Sequence, residues 1–145
     1  MRTSPTFRPL STSDLAAARR LWAEADGVEL AEGDSEAELT AYLARNPGMS
    51  YAALAGDELV GAVLAGHDGR RGLLYHLAVS PAHRGGGTGR RLVELALERL
   101  HAAGIARVLI LVAADNAGGR AFWRRLGWED IDLAEPMAID LPPPR

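Results

Sequence analysis

The chain has 145 residues, of which 48% are hydrophobic and 24% charged, and its formal net charge is −3. That length suits one domain with a continuous core, and the composition excludes general disorder. The charge balance excludes an extended basic surface for nucleic acid, and no apolar run is long enough to span a bilayer.

Residues 1–5 carry no signal-peptide core, so a cytoplasmic location is expected. Residues 7–10 read as a short strand. A helix follows over about 12–25, with Leu15, Ala18, Leu21 and Trp22 at helical spacing. Residues 26–34 are irregular and acidic. Ser35 opens a second helix, with Glu38 three residues on completing a capping box, and Asn46-Pro47-Gly48 stops it.

Two strands over 50–55 and 59–65 are joined by Gly56-Asp57-Glu58, which reads as a hairpin. The turn His67-Asp68-Gly69-Arg70-Arg71-Gly72 leads to a further strand over 73–79, ended by Ser80-Pro81. A glycine-rich loop, Arg84-Gly85-Gly86-Gly87-Thr88-Gly89, then opens a long helix that runs to about Ala103. In that helix Leu92, Ala96 and Leu100 form one apolar line, while Arg91, Glu94, Glu98 and His101 face water.

Residues 108–112 form a continuous apolar run of the buried-strand kind. Asp115-Asn116 opens a last helix, stopped after Leu126 by Gly127, and two final strands are expected over 128–133 and 137–141. No repeat and no long linker divides the chain. The reading is one α/β domain over residues 1–145, in the order β-α-α-β-β-β-α-β-α-β-β.

The glycine loop is the strongest chemical signal. Successive glycines let backbone N–H groups converge on one concavity, and a helix N-terminus adds free donors and the positive dipole end. Phosphate or pyrophosphate is the ligand such a loop favours, and Arg84, Arg90 and Arg91 add charge. A plain glycine-rich turn starting a helix is the alternative. A P-loop is excluded because all 16 basic residues are Arg and its lysine does not exist. A dinucleotide fingerprint needs its third glycine where this chain has Arg90, and it belongs at the first strand of a βαβ unit.

Leu77-Ala78-Val79, then Arg84-x-x-Gly87-x-Gly89 and Leu92, resembles the signature of the GNAT N-acetyltransferases. The second signature of that family is matched from Asn116 through Phe122-Trp123 to Leu126-Gly127-Trp128. The element order matches as well, so the resemblance covers essentially residues 7–141. The turn over 66–72 further resembles a group of small bacterial members typified by YpeA.

The resemblance implies a mixed, strongly curved sheet flanked by helices, with acetyl-CoA in a splay between strands 73–79 and 108–112. Leu77, Ala78 and Val79 would hold the pantetheine arm through backbone groups. Arg84, Gly85, Gly86, Gly87, Thr88, Gly89 and Arg90 would cradle the pyrophosphate, and Trp123 would lie against the cofactor. Asn116 would contact the pantetheine side, cap the last helix, or do both. The resemblance implies acetyl transfer to a primary amine, with a homodimer as a family-level expectation and no metal.

A covalent acyl-enzyme does not fit, because there is no cysteine and no serine in a Gly-x-Ser-x-Gly elbow. Direct attack in a ternary complex remains, driven by positioning and backbone donors. Two positions depart from the family pattern. Trp123 stands where many relatives carry a tyrosine acid, and indole cannot act as an acid at neutral pH. Leu111 stands where some relatives carry a glutamate base. This double departure keeps a non-catalytic acyl-CoA-binding or sensing module open as the alternative.

Candidate catalytic residues are therefore Tyr75 and His76, with His76 better suited by the usual pKa of imidazole. Strand alternation puts the two on opposite faces, so at most one is expected to line the cleft directly. A structural histidine, or proton relay through water, is the competing account. The four histidines show no metal-ligand spacing, and His67 and Asp68 read as turn residues. Glu29, Glu32, Asp34, Glu36 and Glu38 would attract a cationic amine or simply form a solvated helix start.

Overall fold

The computed structural model describes residues 4–143. Five strands form one sheet in the order β1 (Thr6–Pro9), β2 (Tyr51–Ala55), β3 (Glu58–His67), β4 (Gly72–Val79) and β5 (Val108–Leu109). The first four pair antiparallel, and β4 pairs with β5 in parallel. The helices are α1 (Leu15–Glu24), α2 (Glu36–Arg45), α3 (Thr88–Ala102) and α4 (Ala117–Arg125). None of the helices among the described residues is long and apolar enough to cross a membrane.

The first helix divides, because Thr12–Asp14 is a 3₁₀ turn and the α-helix begins only at Leu15. Its entrance is fixed by Asp14, which takes two hydrogen bonds from the Arg8 guanidinium at 2.6 and 2.9 Å and one from the Ser11 N–H at 2.8 Å. Arg8 first, then the Ser11 donors, holds the Asp14 carboxyl below the usual carboxylate range despite its burial. The capping box at α2 forms as expected: Ser35 Oγ accepts from the Glu38 N–H and Glu38 returns the bond to the Ser35 N–H.

Each face of the sheet carries its own core. Leu92, Val93, Ala96 and Leu100 of α3 pack with Tyr51, Ala53, Val63, Ala65 and Leu74 on one side. Leu15, Ala18 and Trp22 of α1, with Leu39 of α2, cover Ala52, Ala62, Leu64 and Ala78 on the other. Covering on both sides explains why β3 reads as a continuous apolar run rather than an alternating one.

Two expectations about the strands need correction. The two final strands do not form. Leu133, Met137, Ile139 and Leu141 do alternate with other residues, but all four are more than 80% exposed. A strand needs a partner edge, and β5 offers only two residues of one. For the same reason the 108–112 strand shrinks to Val108–Leu109, which pairs with Gly72 and Leu73 before the chains part. No residue from 106 to 143 is buried.

Candidate active site

Past Leu73, β4 and the segment after β5 diverge and leave a cleft of about 1420 Å³. One wall is β4 from Leu74 to Val79; the facing wall is residues 110–113 and α4; the floor at one end is the glycine loop and α3. A site for one small molecule occupies about 300–1,000 Å³, so this cleft has room for a large ligand or for two.

The sheet opens here partly because β4 is bulged. Ala62 pairs with Ala78 and Leu64 with Tyr75, so Val63 alone opposes both His76 and Leu77. The extra residue is His76, held at φ 54°, in the left-handed region that costs a non-glycine residue about 1–2 kcal/mol. Strand alternation is therefore broken at this point. Tyr75 and His76 do not point to opposite faces: Tyr75 packs edge-on to Tyr42 and His76 lies 5.4 Å from the Trp22 ring, both on the α1 and α2 side. Both also line the cleft.

The His76 ring is held through Nε2, which lies 2.9 Å from Asp34 Oδ1. Asp34 belongs to the loop between α1 and α2, and its other oxygen accepts from the Ala31 N–H at 2.9 Å. Burial raises the pKa of the Tyr75 phenol, so this group stays protonated through the neutral range.

The glycine loop ends at the start of α3. Gly85 and Gly87 sit at φ 83° and 84°, and Gly87 is the N-cap of α3 without a side-chain cap. The first intrahelical bond runs from the Arg91 N–H to the Gly87 carbonyl, leaving the N–H groups of the first turn without helical acceptors. Leu77, Ala78 and Val79 on the strand, Arg84, Gly85, Gly87, Thr88, Gly89 and Arg90 at the loop, and Asn116 and Trp123 opposite all line the cleft. Gly86 lies outside that lining. Beyond Leu73 no strand among the described residues pairs with β4 on the cleft side, which leaves that backbone edge uncovered.

Asn116 caps α4, its Oδ1 accepting from the Gly119 N–H at 2.9 Å. It also faces Gly27 across the cleft mouth. Leu111 is 72% exposed and lines the cleft with an aliphatic side chain. Trp123 stacks edge-on with Phe122 and Trp128, with ring centroids 5.3 and 5.0 Å away. His67 and Asp68 belong to the β3–β4 turn: His67 Nδ1 accepts from the Gly69 N–H, and Asp68 accepts from the N–H groups of Arg70 and Arg71. Among the described residues no group of three acidic, histidine or cysteine side chains is placed to hold a metal.

Residues 25–29 cross the cleft mouth as a loop that no sequence motif announces. Phe122, part of the second signature, lies 3.5 Å from where a Cβ on Gly89 would be. Asp34 is visible in the sequence only as one acid among five.

Residues 15–128 match the model of the acetyltransferase (GNAT) family. The chain is 30% identical to an acetyltransferase of Pectobacterium atrosepticum over 87% of its length and 89% of that protein. It is also 30% identical to one of Yersinia enterocolitica, over 92% of this chain and 96% of the other. Among solved structures it resembles Ard1 from Thermoplasma volcanium, with a TM-score of 0.75 at 17% identity, covering 86% and 82% of the two chains. The ribosomal-protein-S18-alanine N-acetyltransferase from Escherichia coli superposes with a TM-score of 0.69 at 24% identity, covering 85% and 76%. The chain belongs to the GNAT acetyltransferase family and is an acetyl-CoA-dependent acetyltransferase.

Proposed function

We propose that the acetyl group passes to a primary amine that enters beside Tyr75 and His76 and attacks the thioester directly in a ternary complex. One observation carries this reading: a single cleft is lined both by the N-terminus of α3 and by Tyr75 and His76, side chains able to handle a proton. The pyrophosphate of acetyl-CoA fits the first turn of α3 and the loop from Arg84 to Gly89, and the pantetheine arm fits the open edge of Leu77 to Val79. His76 accepts the proton of the attacking nitrogen, and Tyr75 remains a phenol that donates a hydrogen bond within the cleft. Trp123 cannot supply an acid, and a thiol of ordinary pKa about 8.5 leaves without one.

The reading takes residues 1–145 as one acetyltransferase domain working in the cytoplasm. The turn over 66–72 supports grouping it with the small bacterial members typified by YpeA. The test is calorimetric titration with acetyl-CoA and free CoA, followed by thiol release with a panel of amino acids, polyamines and short peptides. Since the protein has no cysteine, CoA is the one thiol in the assay. Binding followed by release with one class of amine supports the proposal. Binding without turnover on any amine would instead leave an acyl-CoA-binding module.

A further inference from the structure

We propose that Asp34 is a positioning residue for His76, fixing the tautomer in which the imidazole can take a proton from the acceptor amine. The inference rests on His76 being the proton acceptor and adds what selects its working nitrogen. Asp34 is 42 residues away in sequence, yet its Oδ1 stands 2.9 Å from His76 Nε2. The two side chains are only 13% and 16% exposed, so water competes little for the bond.

Asp34 is itself held from three directions. Its second carboxylate oxygen accepts from the Ala31 N–H at 2.9 Å. Its own N–H donates to the Ala31 carbonyl at 3.1 Å, and its carbonyl accepts from Arg19 Nε at 2.8 Å. The histidine is fixed by its bulge and by the Trp22 ring. A contact between two groups so restrained is built into the fold.

The chemical consequence follows from the donor inventory. An ionised carboxylate only accepts, so Nε2 must carry the hydrogen that joins the two. In the neutral ring the lone pair is then on Nδ1, which has no hydrogen-bond partner among the described residues. As the amine nitrogen bonds to the thioester carbon, Nδ1 takes one proton from that nitrogen. The C–S bond breaks with its electron pair on sulfur, and the thiolate recovers a proton from the imidazolium or from water. With no carboxylate at position 34, Nε2 is free to become the acceptor, and the lone pair moves from Nδ1 to the side that faces residue 34. The second nitrogen of a histidine is commonly assigned its role in this way.

The experiment uses the full chain labelled with ¹⁵N-histidine, His76 being assigned from the spectrum of His76→Gln. In the wild type His76 is expected as the Nε2–H tautomer, and in Asp34→Asn as Nδ1–H, because the amide donates to Nε2. Turnover is followed in parallel with the amine of the panel that reacts fastest. Asp34→Asn should lower kcat at least about tenfold, within the range a general base contributes. The KM for acetyl-CoA should stay within about threefold, as for a group acting only on proton transfer, and Asp34→Glu should recover part of the loss. Asp34→Ser serves the same comparison if the Asn variant does not fold. Loss of kcat in His76→Gln but not in Asp34→Asn would overturn the role of Asp34 and leave His76 as base. An unchanged tautomer in Asp34→Asn overturns it too. Full turnover in His76→Gln would remove both.

Discussion

A methyl group built on Gly27 would stand 2.5 Å from the Asn116 side-chain amide nitrogen, so the backbone of the loop after α1 lies directly against the side chain that caps α4. Gly27 also sits at φ 81°. Gly27→Ala should therefore cost about 1–2 kcal/mol from the left-handed backbone, with a further share from the contact. Asn116→Ala should cost about 1 kcal/mol through the lost cap. The pair should be less than additive, because the second change makes room for the first. Urea unfolding of the two single variants and the double variant checks this; strict additivity would mean that the loop does not rest on Asn116.

Gly87 and Gly104 share the same backbone region, at φ 84° and 88°, and both have open space around a would-be Cβ. They lie at opposite ends of α3. Gly87→Val should raise the Kd for acetyl-CoA by at least about tenfold, about 1.4 kcal/mol, by moving the N–H groups of the first turn. Gly104→Ala should cost about 1 kcal/mol of stability and leave affinity unchanged. Calorimetry and thermal melting separate the two effects. Equal affinity in both variants would remove the loop from the binding site.

Trp123→Tyr places a phenol where the indole now meets Phe122 and Trp128. Losing those ring contacts should lower stability by about 1 kcal/mol, a shift of about 3–5 °C in Tm. Turnover should stay level or rise, since the phenol adds an acid near the departing sulfur. A fall of tenfold or more in thiol release would show that the indole has a part in the reaction.

Asp14 sets a pH dependence. Its carboxyl is held below the ordinary value by Arg8, so its folded pKa is lower than its unfolded one. The stabilisation is complete above the unfolded value of about 3.9 and disappears as pH falls through the folded value. Wild type should exceed Asp14→Asn in stability at pH 7, with the gap closing below about pH 3.9. Denaturant midpoints of both proteins between neutral and acid pH test the sign. A gap that widens on acidification contradicts the assignment.

What the sequence reveals here is what short-range chemistry decides. The capping box of Ser35 and Glu38, the cap at Asn116 and the glycine start of α3 each need only a few consecutive residues, and each is found as read. The bulge at His76 is decided by how β4 registers against Val63, and nothing in Leu74-Tyr75-His76-Leu77 announces it. Reading Tyr75 and His76 on opposite faces followed from an alternation that the register breaks. The contact of Asp34 with His76 spans 42 residues and has no local trace. The apolar alternation at Leu133, Met137, Ile139 and Leu141 is legible, but alternation without a partner edge makes no strand.

Residues 106–143 contribute no buried side chain, yet they form one whole wall of the cleft. Local opening free energy follows buried contacts, so the amides of α4 should exchange with deuterium far sooner than those of β3 or α3. A ligand lying between the two walls supplies the packing that this wall lacks. Slowed exchange across residues 110–126 would then be the earliest sign of occupancy, arising where the fold is thinnest rather than where it is tightest.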